Sequence, residues 1–279
     1  MVDATKARVA PVSSAMLYGR GVFTTLAIHN TRPFRWSRHW GRLVDHAAKL
    51  NIELGSLTEK NVGEALRKLI AVNEVERGRA RVILLARHGR DIWKTKEHGG
   101  PKTDLLILTS DPHLVRAEGL SLAVSPYRVN TYSAFAGVKS LNYLEQVLAW
   151  EEAQERDFDE AVMLNERGEI VSATMANIFW VKNGTVHTPS LGIGTIAGVT
   201  RGAVIELAEK HFLPVIEGIY EMGDLTEADE IFLTSASLGF AVITTFDFRR
   251  YSLTTGSVTD RLRTAFEQLI HTTAAVSRD

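Results

Sequence analysis

The chain has 279 residues, 45% apolar and 23% charged, with 32 basic against 33 acidic side chains and a formal net charge of -1. That balance gives no electrostatic case for nucleic acid or an anionic membrane as the main partner. Cysteine is absent, which excludes disulfide and thiolate chemistry. No apolar run approaches the ~20 residues that span a bilayer. Met1 to Val12 is polar and lacks the apolar core of a signal peptide, so the expectation is a soluble, cytoplasmic chain.

In chain order, Trp36 to Leu50 reads as a helix with Leu43, Ala47 and Leu50 on one face. Ser56, followed three residues later by Glu59, reads as a capping box opening a second helix, in which Val62, Leu66, Leu69 and Ile70 recur at helical spacing. Val82 to Ala86 and Leu105 to Thr109 read as strands. The basic, glycine-containing stretch between them, Arg87 to Lys102, is a surface loop of the kind that often carries function. The pattern weakens over Asp111 to Gly119.

Leu120 to Ser125 then reads as a strand and Leu141 to Glu155 as a helix. A meander follows over Glu160 to Leu164, Glu169 to Ala173, Asn177 to Val181 and Thr185 to His187, with Asn183-Gly184 as a tight hairpin turn. Thr200 to His211 is a further helix, Glu230 to Thr245 holds two strands, and Thr259 to Ile270 is a final helix. Helices and strands neither alternate strictly nor segregate, so the fold class is α+β in two domains. The weakened stretch from Asp111 to Gly119 reads as the linker between them.

Several familiar chemical signals are missing. There is no Walker-type phosphate loop and no His-Glu-x-x-His zinc helix, and nine histidines lie scattered without metal-ligand spacing, so no metal is expected. His39 and His46 can share a helix face, which reads as surface or packing. Ser235 and Ser237 lack the flanking glycines of a nucleophile elbow. More informative is Ala136-Gly137-Val138-Lys139-Ser140. Lys139 follows small and apolar residues just before a helix, where desolvation lowers a lysine's pKa and frees its amine for a Schiff base with a carbonyl cofactor. A solvated lysine near a helix start is the plainer reading of that window.

The segment Lys139-Ser140-Leu141-Asn142-Tyr143-Leu144-Glu145-Gln146-Val147-Leu148 resembles the cofactor-lysine segment of the class IV aminotransferases. These fold-type IV pyridoxal-phosphate enzymes include branched-chain and D-amino acid aminotransferases and 4-amino-4-deoxychorismate lyase. Further likenesses follow in the family's order: Tyr18-Gly19-Arg20-Gly21-Val22-Phe23-Thr24-Thr25, then His39-Trp40-Gly41-Arg42-Leu43, then Asp159-Glu160-Ala161 with Ala176-Asn177-Ile178-Phe179. Gly198-Val199-Thr200-Arg201 and Asp229-Glu230-Ile231-Phe232 complete the series. The resemblance implies a D-amino acid aminotransferase-like fold, with a small N-terminal α/β domain over 1–112, a linker over 113–117, a large C-terminal domain over 118–279, and pyridoxal 5'-phosphate at the domain interface. It also implies a small-molecule amino acid or aminodeoxychorismate substrate and a homodimer.

Carried over residue by residue, Lys139 would bond the cofactor and shuttle a proton, and Arg42 would clamp the phosphate. Val199 and Thr200, at a glycine-led helix start, would offer backbone N–H groups to the same anion. Ser235, Ala236 and Ser237 would add a phosphate contact, with alanine where aminotransferases often carry threonine. Tyr143 would lie against the phenolic oxygen or ring. Tyr18, Phe23 and Thr25 would form the substrate side, with Arg81 as the strand arginine and Arg87 or Arg90 as the loop arginine for a substrate carboxylate.

One departure stands out. The family's glutamate at the pyridine nitrogen aligns with Ser172, which can hydrogen-bond but brings no negative charge. The offset of three places Glu169 on the opposite strand face, so it is not expected to substitute unless a bulge intervenes. Ala27 stands where many relatives carry arginine. Three activities follow from the resemblance: 4-amino-4-deoxychorismate lyase, an amino acid aminotransferase, or a cofactor-binding protein with little turnover.

Overall fold

A computed structural model describes residues 6–87, 102–113, 115, 116 and 118–275, and the chain divides into two units. One comprises Met1–Pro112 with Lys139–Asn142; the other comprises His113–Val138 with Tyr143–Asp279.

The first unit runs α1 (Ser14–Tyr18), β1 (Gly21–His29), β2 (Arg32–Pro33), α2 (Trp36–Lys49), α3 (Glu59–Val72), β3 (Arg77–Ala86) and β4 (Thr103–Ser110). Its strands form one four-stranded antiparallel sheet in the order β2-β1-β3-β4. β1 and β3 pair without interruption from Gly21↔Leu85 to His29↔Arg77. From Thr24 onward β1 alternates, with Thr24, Leu26 and Ile28 buried and Thr25, Ala27 and His29 less so. α2 packs on the buried face, bringing Leu43 and Ala47, while α3 buries Val62, Leu66 and Ile70. Leu43, Leu66 and Ile70 are each 1% exposed or less, so each contributes about 1.5–3 kcal/mol through burial.

α3 does not start with the expected Ser56/Glu59 box. Thr58 is the cap: its Oγ1 accepts the Asn61 N–H at 3.3 Å, and Asn61 Oδ1 accepts the Thr58 N–H at 2.9 Å. Asn61 also donates to the Ser56 carbonyl at 2.7 Å. Asparagine therefore takes the reciprocal role, and Ser56 contributes only its backbone.

The second unit contains β5 (Leu120–Val129), α4 (Leu144–Glu155), β6 (Glu160–Asn165), β7 (Ile170–Ala173), β8 (Asn177–Lys182), β9 (Thr185–Pro189), α5 (Val199–Lys210) and β10 (Val215–Gly218). α6 (Met222–Thr226), β11 (Glu230–Ser235), β12 (Gly239–Phe246), β13 (Arg249–Arg250) and α7 (Val258–Ala275) follow. One mixed nine-stranded sheet takes the order β10-β9-β8-β11-β12-β5-β6-β7, with β13 against β12. One side of it builds a core around Leu122, Val162, Ile178, Trp180, Ile231, Leu233 and Phe246. Phe179, Phe232 and Phe240 stack in series, with centroids 5.0 and 4.5 Å apart, and α5 and α7 pack against each other and against β11.

Several expected boundaries move, and one strand is new. β5 continues past Ser125 through Pro126, because a register shift between Val124 and Arg128 absorbs the residue that cannot donate. α4 begins at Leu144 rather than Leu141, since Lys139 to Leu141 pair with β1 instead. β10, which lacks a distinct sequence pattern, is a short strand parallel to β9. Among the described residues no helix is long and apolar enough to cross a membrane.

Candidate active site

In the first unit, the lysine segment adds a short antiparallel pairing to β1. Phe23 N–H donates to the Lys139 carbonyl at 3.0 Å, Leu141 N–H donates to the Gly21 carbonyl at 2.9 Å, and Val22 bridges Ser140. Gly21 permits this approach, because a Cβ there would lie 2.4 Å from Leu141 Cδ1 and 2.9 Å from the Leu84 oxygen. Lys139 Nζ consequently stands 4.5 Å over the Phe23 ring. The Arg81 guanidinium lies 4.7 Å from the centre of the same ring, and its Nε donates to Thr25 Oγ1 at 3.3 Å.

Lys139 as a residue is half-buried, but its ammonium end is enclosed. Burial first, then the positive charges of Arg42 and Arg81, lower its pKa from 10.5 to about 7. Near neutral pH a large fraction of this amine is unprotonated, the form that adds to a carbonyl carbon.

α2 supplies three further groups from one face. His39, Arg42 and His46 follow at spacings of three and four residues. Arg42 Nη2 donates to Thr24 Oγ1 at 2.8 Å, and His39 Nδ1 is 2.8 Å from the same hydroxyl. His46 Nδ1 accepts the Lys139 backbone N–H at 3.0 Å, across 93 residues of sequence. Both histidines are buried. Burial and then Arg42 hold His39 well below the usual range, while burial, Arg42, Lys49 and Lys139 lower His46 to about 4. The surface-or-packing reading thus understates them: each makes a polar contact beside the candidate amine. Their spacing around Arg42 was the signal in the sequence.

Other expected residues of this unit are placed differently. Tyr18 ends α1 and is exposed. Arg87 makes an ion pair with Asp104 at 2.7 Å, and Arg90 lies outside the described residues. β3 contributes an arginine the sequence reading did not single out. Arg79 stands directly across from Ala27, as Arg81 does from Thr25, so the two guanidinium groups share one face of the strand. Arg79 Nε donates to the Asp111 carbonyl at 3.0 Å. The Arg79-x-Arg81 alternation was visible, but the strand was expected to begin only at Val82.

In the second unit, α5 starts after Gly198, which has no side chain to cap its first N–H groups, and Thr200 is buried in its first turn. A Cβ on Gly198 would lie 2.0 Å from Asn177 Oδ1, so any side chain there would displace Asn177. Asn177 in turn donates to the Ile196 carbonyl at 2.9 Å, fixing the approach to the helix. β11, packed against α5, ends in the turn of Ser235, Ala236 and Ser237, all half-buried. Ser235 Oγ accepts the Leu238 N–H at 3.0 Å. Thr234 Oγ1 is buried with no hydrogen-bond partner among the described residues.

Ser172 lies on β7 opposite Met163 of β6 and is half-buried, and Tyr143 is half-buried at the start of α4. Glu169 precedes β7, where Asn165 and Arg167 donate to its carboxylate at 2.6 and 2.7 Å. Glu160 is buried and accepts the N–H groups of Ala161, Thr174 and Met175 and the hydroxyl of Thr174. Burial outweighs these donors and raises its pKa to about 7. It ties β6 to the turn between β7 and β8.

In the first unit, the enclosed amine among positive charges fits a group that carries an aldehyde; in the second, the glycine-led helix start and the Thr234 hydroxyl, unpartnered among the described residues, fit an anion such as a phosphate. A family model, Amino-transferase class IV, matches residues 21–246. The chain belongs to the class IV aminotransferases. It is 31% identical over 270 residues to the "Putative branched-chain-amino-acid aminotransferase" of Methanocaldococcus jannaschii, covering 96% of this chain and 93% of that one. It is 29% identical over 266 residues to the aminodeoxychorismate lyase of Bacillus subtilis, covering 94% and 89%. The crystal structure of Escherichia coli branched-chain amino acid aminotransferase is similar with a TM-score of 0.87 and 27% identity, over 97% of this chain and 92% of that one. The expected fold-type IV architecture is therefore the one observed. Within this class IV aminotransferase, the family match includes Arg42, Lys139, Ser172, Thr200 and Ser235 and leaves Tyr18 outside.

Proposed function

We propose that this enzyme uses pyridoxal 5'-phosphate to convert 4-amino-4-deoxychorismate into 4-aminobenzoate and pyruvate. The observation that carries the reading is the pair Arg79 and Arg81, two residues apart on one face of β3. Two fixed cations suit a substrate with two carboxylates better than one with a single carboxylate. Likeness to the Bacillus subtilis lyase over nearly the whole chain supports it.

When bound, the cofactor supplies an aldehyde for the substrate's amino group and a conjugated ring that takes up the electron pair released at the substrate. Lys139 is the residue that would hold it covalently. With a pKa of about 7, Nζ can also take up a proton from the substrate and return it at neutral pH. Arg42, steered by Thr24, would bind the phosphate. The first N–H groups of α5, at Val199 and Thr200, and the Ser235–Ser237 turn are the phosphate-binding candidates of the second unit.

Tyr143 would lie against the phenolic oxygen and Ser172 against the pyridine nitrogen. Ser172 offers a hydroxyl and no charge, which suits a reaction whose product gains an aromatic ring and so demands less of the electron sink. Tyr18, Phe23 and Thr25 would line the substrate side. A homodimer in the cytoplasm belongs to the same reading.

The second reading is amino-group transfer between an amino acid and a 2-oxo acid, with Arg81 alone on the substrate carboxylate. The likeness to the Methanocaldococcus jannaschii relative favours it. The test incubates the cofactor-loaded protein with aminodeoxychorismate, and separately with D- and L-amino acids plus a 2-oxo acid. 4-Aminobenzoate with pyruvate is the expected result. Amino-group transfer alone selects the second reading, and silence in both assays marks a cofactor-binding protein with little turnover.

A further inference from the structure

The N–H of Lys139 has an unusual partner. In a regular antiparallel ladder, residues opposite each other exchange two hydrogen bonds, so a lysine whose carbonyl accepts from Phe23 N–H would return its own N–H to the Phe23 carbonyl. Here the first bond is made at 3.0 Å, but the Lys139 N–H turns to the imidazole of His46. The ladder therefore ends at the lysine, and a side chain takes over from the strand. His46 is 4% exposed, so its imidazole cannot fall back on bulk water, and the bond is expensive to lose.

We propose that His46 is a positioning residue for Lys139: its Nδ1 anchors the lysine's main chain to α2, so that the amine stays enclosed over the Phe23 ring. The same helix carries Arg42 one turn earlier, bonded to Thr24 of β1. α2 thus ties the lysine segment and the candidate phosphate arginine to one rigid element. The inference rests on Lys139 as the reactive amine, and not on which reaction follows.

The role requires Nδ1 to be unprotonated. The charged groups that bear on His46 are Arg42 and Lys49 of its own helix and Lys139 opposite, all cationic, and with burial they keep the ring neutral down to about pH 4. With Nδ1 accepting, the ring proton resides on Nε2.

The test uses the full chain freed of pyridoxal phosphate. Competitive acetylation with limiting acetic anhydride across a pH series, read at the Lys139 peptide by mass spectrometry, gives the titration midpoint of that one amine. His46→Asn keeps an acceptor at the position of Nδ1, whereas His46→Leu keeps the volume without the acceptor. We expect the unchanged chain and His46→Asn to show a midpoint near 7, and His46→Leu to show one higher by roughly one pH unit or more as the segment loosens and water reaches Nζ. A wild-type midpoint in His46→Leu, or a rise in His46→Asn as large as in His46→Leu, overturns the proposal. A second measurement needs no variant: the Lys139 amide should exchange with deuterium far more slowly than in an unstructured peptide, and fast exchange sinks the idea. Neither readout depends on turnover, so a protein inactive on every substrate above would leave both results standing.

Discussion

Arg42 donates to Thr24 Oγ1 over 2.8 Å, a bond that ties its guanidinium to β1. Thr24 is fully buried and meets His39 through the same hydroxyl. Thr24→Val keeps the shape and removes the oxygen, leaving the buried His39 Nδ1 and the half-buried Arg42 guanidinium without that partner. We predict a loss of about 1–3 kcal/mol in urea unfolding, together with faster loss of pyridoxal phosphate on dialysis. Thr24→Ser should behave like the parent. An unchanged Thr24→Val in both measurements would show that Arg42 is oriented by something else.

The lowered pKa of Lys139 carries a stability cost with a definite sign. The unfolded chain holds this proton up to about 10.5 and the folded chain only to about 7. Between those values the unfolded state binds more protons, so this residue's contribution to stability improves as pH rises through that window. Lys139→Met removes the buried charge. At pH 7 the cofactor-free variant should be more stable than the parent by roughly 1–3 kcal/mol, an amount within the usual range for single substitutions, and the advantage should shrink by pH 10. Turnover should be lost. Equal stability at pH 7 would count against the enclosed amine.

Glu160 titrates in the opposite sense. Its folded pKa is raised from 4.5 to about 7, so the stability it contributes is complete below about 4.5 and is lost as pH rises through 7. Glu160→Gln cannot titrate, and its amide N–H group would face the donors of Thr174. The variant should be less stable than the parent by about 1–3 kcal/mol at pH 5, with the gap narrowing by pH 8. A gap that widens with pH would mean that the four donors favour the ionised carboxylate.

Ser172→Glu would place a carboxylate on β7 at the position proposed to meet the pyridine nitrogen. If elimination to an aromatic product tolerates a weak electron sink, lyase turnover should change little while any side transamination rises. A large gain in lyase turnover would show that the serine limits the proposed reaction.

Much of the fold is legible from periodicity. α2 and α3 carry apolar residues at helical spacing, and the strands of the second unit are bounded by recognisable turns such as Asn183-Gly184. The misses share a cause. Pro126 is a local strand breaker, yet β5 runs through it because neighbouring β6 tolerates a register shift. Leu141 looks like the start of a helix, yet pairing with Gly21 draws its backbone into an extended form. In each case a partner distant in sequence outweighs the local preference.

The same division holds for the candidate site. Residue order alone carried the family and singled out Lys139 and Arg42 as candidates, because these are chemical identities carried in contiguous motifs. Only the tertiary structure decided what surrounds them: His46 on the main chain of Lys139, His39 on Thr24, and Arg79 beside Arg81 across from Ala27. Those relations join positions far apart along the chain, and they arise when a helix packs on a sheet and one strand takes its register from another.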